Sequence, residues 1–167
     1  MTTRLDPATL EVLETTPAVL RAMLGKLPAA SVDAVGAEGW SAKDVVAHLA
    51  SIQRPAVIER VCALLSKVGA PVQNVDEDAV LAQSGLRGRS LQDVLAIFAG
   101  LRAEAMTLLR SIEPPQLEQR GVHSVAGEIS VADTIHHLAY HDLLHVAQVA
   151  QLLCAPIELQ RGAMRMF

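Results

Sequence analysis

The chain has 167 residues, of which 51% are hydrophobic and only 2% aromatic, and its 14 basic and 18 acidic side chains give a net charge of −4. This acidic balance argues against a nucleic-acid-binding protein, because such a protein needs a basic surface and usually aromatic stacking platforms. No window reaches the ~18 uninterrupted apolar residues of a membrane span, and no signal peptide is visible, so we expect a cytoplasmic protein. The length predicts one domain over residues 1–167, with its core at about 16–154.

Four main helices are predicted, joined by short loops and one long connection. In chain order they cover about 7–27, 41–68, 90–112 and 130–154. Pro17 is expected to restart or kink the first helix, Pro55 to kink the second, and Pro156 to end the last. Residues 70–89 form the long connection between helices 2 and 3, with a short helical turn at about 76–82. This pattern is typical of an all-α four-helix bundle.

Three of these helices begin with the same sequence device. A serine is followed three residues later by an aspartate, in the pairs Ser41/Asp44, Ser90/Asp93 and Ser130/Asp133. The serine side chain can accept an N–H of the first turn, and the aspartate can reach back to the backbone of the cap. Apolar residues at helical spacing follow each pair, which strengthens the prediction.

Histidines interrupt the apolar faces of two predicted helices. His141 and His145 are four residues apart, so their side chains lie on one face of the fourth helix, and His48 lies on the apolar face of the second. Two imidazoles at this spacing can bind one ion when a third ligand comes from another helix. Three neutral nitrogens leave positions open for water or substrate, as in catalytic sites. A buried, hydrogen-bonded histidine without a metal is the alternative at each position.

His137 is an alternative partner for His141, because it lies four residues before it. The segments 41–50 and 130–139 share the pattern S-x-x-D-x-x-x-H-L-A, which aligns His137 with His48. We favour the pair of His141 and His145, because His145 is heptad-spaced from apolar residues of its helix. His136 is predicted to be a surface residue. His123 is predicted to lie in a loop, without an assigned partner.

The two runs around these histidines resemble the signatures of the DinB-like (DinB/YfiT-like) four-helix proteins. Residues 40–49, WSAKDVVAHL, resemble the W-S-x-x-[DE]-x-x-x-H-L signature, and residues 141–148, HDLLHVAQ, resemble H-D-x-x-H-x-x-Q. The resemblance covers roughly residues 16–153, with the motifs in the family's order and spacing. It implies a bundle with one divalent metal ion, of zinc, nickel or iron, held by His48, His141 and His145.

The resemblance also implies a function and an assembly. Relatives include S-transferases and isomerases that depend on bacillithiol, mycothiol or glutathione, so the first expectation is an S-transferase whose metal activates a low-molecular-weight thiol toward a small-molecule substrate. A metal-dependent hydrolase using water as the nucleophile, or a non-catalytic metal-binding stress-response protein, is the alternative. The family's tendency implies a homodimer.

Two further polar residues are candidates for roles in catalysis. Gln148, one turn beyond His145, could hydrogen-bond a metal ligand or substrate, or could be a buried structural amide. Arg102 on the third helix could anchor an anionic substrate, with an interhelical salt bridge as the alternative. Asp142 points away from its neighbour His141, so we expect it to contact another helix or the surroundings of the metal rather than the metal itself.

Other side chains are expected to have structural roles. Trp40 precedes a helix cap and can pack onto Val45 as a hydrophobic staple. With so few aromatic residues, we expect no aromatic-lined substrate pocket. Cys62 and Cys154 are expected to pack against apolar neighbours rather than to act as nucleophiles. The tail at 160–167 is expected to be loose or to form an interface arm.

Overall fold

The computed structural model describes residues 5–166, and four helical segments form its frame. In chain order the elements are α1 Pro7–Leu24, α2 Ala29–Val32, α3 Ala42–Ile52, a π-helical turn Gln53–Ile58, α4 Glu59–Ser66, β1 Ala70–Val72, α5 Glu77–Ser84, a 3-10 turn Leu86–Gly88, α6 Leu91–Arg110, a 3-10 turn Pro114–Glu118, β2 Arg120–His123, β3 Gly127–Ser130, α7 Val131–Glu158 and a 3-10 turn Gly162–Met166. The long segments α1, α3 with α4, α6 and α7 make the expected all-α four-helix bundle. None of the described helices is long and apolar enough to cross a membrane.

The predicted serine caps are present at the starts of α3, α6 and α7. Ser41 Oγ accepts the Asp44 N–H at 3.1 Å, and the Asp44 carboxylate accepts the Ser41 N–H at 3.0 Å. Ser130 and Asp133 make the same reciprocal pair, at 3.0 and 2.8 Å. At Ser90 the serine side chain accepts the backbone N–H three residues on, at 3.2 Å. Each cap satisfies N–H groups that a helix start leaves unpaired.

The prolines affect their helices in three different ways. α1 continues through Pro17 and ends at Leu24, three residues before the predicted end. Pro55 lies in the π-helical turn between α3 and α4, where the wider turn accommodates its missing N–H. The predicted end of the last helix before Pro156 is wrong, because α7 runs on to Glu158. The last turn is exposed, so water can reach the carbonyl groups that the proline leaves unpaired.

A small three-stranded sheet, which the sequence pattern did not predict, links the bundle to the start of α7. β1 pairs in parallel with β2, and β2 pairs antiparallel with β3. Gly121 allows this close approach, since a Cβ atom there would lie 2.5 Å from the carbonyl oxygen of Ala70. β3 ends at Ser130, the N-cap of α7, so the sheet fixes where the longest helix begins.

Two clusters of buried apolar side chains hold the helices together. One joins α1, α3 and α6 and contains Leu20 and Phe98, and the other joins α1, α4, α6 and the start of α7 and contains Val61 and Val131. All four side chains are fully buried. Burying a side chain of this size stabilises the fold by about 1.5–3 kcal/mol.

A buried ion pair joins α6 to α7. The Arg102 guanidinium donates to both carboxylate oxygens of Asp142, at 2.5 and 2.9 Å, and also to Gln53 Oε1 at 2.9 Å and to the Leu13 carbonyl at 2.7 Å. Arg102 is 2% exposed and Asp142 0%. Of the two roles that the sequence left open, Arg102 therefore has the interhelical salt bridge. The expectation that it anchors a substrate is corrected, because its donors are already bonded within the core.

The cysteines and the tail also differ from expectation. Cys62 and Cys154 are both exposed, so the prediction that they pack is wrong. Cys62 lies on the solvent face of α4, and Cys154 lies near the exposed end of α7. The described part of the tail is exposed and forms the turn at Gly162–Met166, whereas Phe167 lies outside the described residues.

Candidate metal centre

Three histidines from two helices meet beside α5. His48 lies on α3, and His141 and His145 lie one turn apart on α7. The Nε2 atom of His141 is 3.4 Å from that of His48 and 3.2 Å from that of His145. His48 is buried and the other two are half-buried. The structure thus brings together the three histidines that the sequence analysis selected.

The spacing of these nitrogen atoms fits a metal ion. Imidazole nitrogens bind tetrahedral zinc at about 2.0–2.1 Å, which places two ligand nitrogens about 3.3–3.4 Å apart. The distances from His141 Nε2 to the Nε2 atoms of His48 and His145, 3.4 and 3.2 Å, are close to this nitrogen–nitrogen distance. Imidazole ligands also suit nickel, iron and copper, so the donor set is that of a divalent transition-metal site.

Burial keeps the imidazoles of His48 and His145 neutral, which is the form that binds a metal. It is the main cause that lowers the pKa of His48 to about 4, and the positive charge that His145 carries when protonated adds to the effect. Burial also lowers the pKa of His145. At neutral pH both rings therefore have a lone pair available on one nitrogen.

We expect the metal-free protein to lose stability as the pH falls from about 6.5 toward 4. His48 in the unfolded chain takes up its proton near the ordinary pKa of 6.5, whereas the folded protein takes it up only near 4. Within this window the unfolded state binds more protons, so the contribution is complete above pH 6.5 and is lost as the pH falls. Urea unfolding at pH 7.5, 5.5 and 4.5 measures the trend. His48→Asn should reduce the slope, of which His145 retains a part because burial lowers its pKa too, and an equal slope in both proteins would contradict the assignment to His48.

Gln148 orients one of the three imidazoles. Its Oε1 atom lies 2.8 Å from His145 Nδ1, so the ring proton sits on Nδ1 and the Nε2 lone pair faces the other histidines. The Nδ1 atoms of His48 and His141 are buried without a hydrogen-bond partner among residues 5–166. Among the described residues, the contact with Gln148 is therefore the only hydrogen bond made by an Nδ1 atom of the three histidines.

Replacing Gln148 by alanine should weaken zinc binding by about 10–100-fold, because His145 loses the partner that fixes its orientation and tautomer. Titration against a chromophoric chelator measures this affinity. Gln151→Ala is the matched control, since Gln151 lies one turn later on α7 and is exposed. Equal zinc affinity in the two variants would show that the hydrogen bond has no such role.

Glu77 is the residue at this cluster that sequence reasoning missed. Its Oε2 atom lies 3.4 Å from His48 Nε2 and 3.7 Å from His141 Nε2. The nearby imidazole of His141 is the main cause that lowers the pKa of the Glu77 carboxyl. Glu77 is therefore ionised at neutral pH. The preceding Asp76 caps α5 by accepting the Ala79 N–H at 3.0 Å. An acidic first turn is the ordinary signature of a helix start, and only the packing of α5 against α3 brings one carboxylate to the histidines.

An open pocket of about 580 Å³ leads to the cluster. Its lining comes from α3, α7, the start of α5 and the segments that precede α3 and α5, with Trp40, His48, Asn74, Val75, Asp76, Glu77, Asp78 and His145. The Trp40 ring packs against the apolar cluster that contains Val45, and its centroid lies 5.4 Å from that of His48 in an edge-on contact. Trp40 therefore packs at the helix start and also contributes one aromatic ring to the wall of this pocket, whose other lining residues are not Phe, Tyr or Trp.

The other histidines lie outside the cluster. His137 is exposed, and its ring centroid is 6.2 Å from that of His141. His136 is half-buried, rather than a surface residue as predicted. His123 is buried on β2, and its Nδ1 accepts the N–H groups of Val125 and Ala126, at 3.2 and 3.1 Å. His123 thus has hydrogen-bond partners, which could not be assigned from the sequence.

Comparison with known proteins agrees with this architecture. A curated relative from Oceanobacillus iheyensis, named "Putative metal-dependent hydrolase", is 25% identical over 114 residues, a match that spans 68% of this chain and 65%, less than two thirds, of the relative. The solved structure of YfiT from Bacillus subtilis, described as "a probable metal-dependent hydrolase with an unusual four-helix bundle topology", matches 93% of this chain and 86% of its own with a TM-score of 0.75 and 22% identity. The model of the DinB superfamily matches residues 12–149. Since that match covers most of the sequence, the chain belongs to the DinB superfamily.

Proposed function

We propose that this protein is a metal-dependent hydrolase of a small-molecule substrate, with His48, His141 and His145 as the metal ligands. The observation that carries the proposal is the convergence of three Nε2 atoms beside the ionised carboxylate of Glu77, at an open pocket. The names of the two similar proteins support the same class of reaction.

Each group at the site has a role in this proposal. The three imidazoles hold the ion through Nε2, and Gln148 fixes the ring of His145. When bound, a divalent ion supplies Lewis-acid chemistry, which lowers the pKa of a coordinated water or thiol. Glu77 accepts the proton of the attacking nucleophile at Oε2, since its carboxylate is ionised and faces the pocket. Trp40 limits the access of water to His48 from one side.

Replacing Glu77 by glutamine should lower kcat by about 10²–10⁴-fold, because the amide cannot accept the proton. Bound zinc should stay at one ion per chain, as measured by elemental analysis. Asp78→Asn is the matched control, because Asp78 also lines the pocket but is exposed and makes no ion pair with the histidines. Loss of zinc together with activity in Glu77→Gln would contradict the role as proton acceptor and make Glu77 a metal ligand.

Thiol-dependent S-transfer is the second candidate, because the open pocket at the three histidines has room for a thiol as well as for a substrate. The volume of this pocket is about 580 Å³. A low-molecular-weight thiol such as bacillithiol, mycothiol or glutathione can fit beside the histidines, and the same three ligands would then serve to activate its sulfur.

An assay of zinc-loaded and metal-stripped protein separates the candidates. The substrates are a panel of small esters, amides and lactones, tested alone, and an alkylating electrophile tested with each of the three thiols. Hydrolysis that zinc restores without any thiol supports the proposal. Turnover that needs a thiol overturns it in favour of S-transfer. Zinc binding without turnover of any substrate favours the non-catalytic metal-binding protein.

We also propose that the protein is a homodimer, as expected from its family. Four large apolar side chains are exposed at the end of α7 and in the tail, namely Ile157, Leu159, Met164 and Met166. A second copy could cover this surface, since soluble proteins rarely leave large apolar patches exposed. Light scattering of the purified protein measures its mass against the 17.8 kDa of one chain.

A further inference from the structure

A second cavity adjoins the histidine cluster and is lined by an arginine. It has a volume of about 290 Å³ and lies between α4, the turn from β2 to β3 and the first turns of α7. Glu77 lines both this cavity and the open pocket, so the two spaces meet at the same carboxylate. Arg60 and His141 also line one small cleft together. A molecule in this cavity would therefore lie next to the metal site.

Arg60 is half-buried and, unlike five other arginines of the chain, makes no ion pair with a carboxylate of the described residues. Arg54, Arg87, Arg102, Arg110 and Arg120 each form an ion pair with a carboxylate. Arg60 makes no ion pair or hydrogen bond with any residue in the range 5–166, although it is half-buried and its Nε atom is fully buried. Burial lowers the pKa of its guanidinium, but arginine remains protonated at neutral pH. The cavity therefore contains a cation with unused donors.

The two carboxylates of this cavity are engaged elsewhere. Glu77 faces the histidines, with Oε2 3.4 Å from His48 Nε2. Asp133 accepts the backbone N–H of Ser130 at 2.8 Å in the cap of α7. Neither neutralises Arg60 by a direct contact, and an anionic group that enters the cavity can take that place.

His123 adds a neutral donor to the same cavity. Its Nδ1 accepts two backbone N–H groups, from Val125 and Ala126, so the proton of the neutral ring is on Nε2. His123 and His137 both line the cavity, and the charge of Arg60 lowers the pKa of each ring in addition to the main effect of burial. At neutral pH the cavity therefore combines one permanent cation and neutral imidazoles with two carboxylates that have their own partners, Glu77 at the histidine cluster and Asp133 in the cap of α7.

We propose that this cavity binds an anionic oxygen group of the substrate, a carboxylate or a phosphate, with Arg60 as its main partner and His123 Nε2–H as a second donor. Guanidinium groups bind both anions through two parallel hydrogen bonds. The inference rests on the proposed function, because it assigns the reacting end of the molecule to the histidine cluster. It narrows the substrate class to small molecules that carry an anion close to the bond that is broken.

The test uses two probes, succinate and inorganic phosphate, and the uncharged succinamide as a comparison. Binding is measured by calorimetry at pH 7.5 in a buffer free of oxyanions, on metal-stripped and on zinc-loaded protein, and the His123 ring resonances are followed by NMR. Wild-type protein should bind at least one anion, shift the His123 resonances and not bind succinamide. The anion that binds more tightly shows whether the cavity prefers a carboxylate or a phosphate.

Three variants of Arg60 test its role, and a nearby arginine is the control. Arg60→Gln and Arg60→Met should weaken anion binding by about 10–100-fold, because the charge-assisted hydrogen bonds are lost. Arg60→Lys should keep part of the affinity, since it retains the charge but not the planar fork. Arg54→Gln should bind the anion as tightly as wild type, because Arg54 pairs with Glu104 outside the cavity. Thermal unfolding shows that each variant is folded.

The outcomes separate this inference from the proposed function. Anion binding that depends on Arg60 in metal-stripped protein supports the anion site even if no hydrolysis is found. Failure of both anions to bind, or equal binding by wild type and the folded Arg60 variants, overturns it. Metal-dependent hydrolysis of uncharged substrates that Arg60→Gln leaves unchanged supports the function and overturns the anion site.

Discussion

Replacing His141 by alanine is expected to weaken zinc binding by more than about 100-fold, which exceeds the 10–100-fold effect of losing a residue that only orients a ligand. His141 is central to the cluster, since its Nε2 lies 3.4 Å from His48 Nε2 and 3.2 Å from His145 Nε2. Its removal leaves two imidazoles that no longer share a common neighbour. Titration against a chromophoric chelator at pH 7.5, with elemental analysis of the purified protein, measures the loss.

The matched control for this experiment is His137→Ala. His137 lies one turn before His141 on the same helix, yet it is exposed and outside the cluster. Zinc affinity should therefore be nearly unchanged in this variant. Tight zinc binding by His141→Ala together with loss in His137→Ala would contradict the assignment of the three ligands.

Replacing Asp142 by alanine is expected to lower the free energy of unfolding by about 3–5 kcal/mol. The change leaves the Arg102 guanidinium, which is 2% exposed, without the carboxylate that neutralises it. The remaining partners, Gln53 and the Leu13 carbonyl, accept hydrogen bonds but carry no charge. Urea unfolding of the metal-free protein measures the effect independently of zinc, which matters because His141 is the neighbouring residue.

The exposed ion pair between Arg54 and Glu104 provides the comparison. Both side chains are about half-exposed, so Glu104→Ala should cost only about 0–1 kcal/mol. The double replacement Arg102→Met and Asp142→Leu should recover much of the stability lost in Asp142→Ala, because it leaves no unpaired charge. Equal and small effects of Asp142→Ala and Glu104→Ala would contradict the importance assigned to the buried pair.

Several features could be predicted because they depend on residues close together in the sequence. The caps at Ser41 and Ser130 each involve groups three residues apart, and both form. His141 and His145 share a face because a helix repeats every 3.6 residues. The position of His48 on an apolar face predicted that it points inward. The choice between His137 and His145 needed the bundle itself, because both lie at the same spacing from His141.

Other features escaped prediction because they depend on distant segments. The strands have three or four residues each, too few for a clear alternation of apolar and polar side chains. Cys62 is exposed and Arg102 is fully buried, although both lie on helices with apolar faces. In each case the neighbouring elements, and not the local pattern, determine burial and hydrogen bonding.

The sequence by itself determined the helical bundle, the starts of its helices and the shared helix face of His141 and His145, because capping and helical periodicity are local properties of the chain. Only the tertiary structure decided that Arg102 is bound to Asp142 in the core and that Glu77 approaches the histidines. It also placed the unpaired Arg60 in a cavity beside them. The partner of a charged side chain is set by how helices pack, and residues far apart in the sequence carry no local signal of that packing.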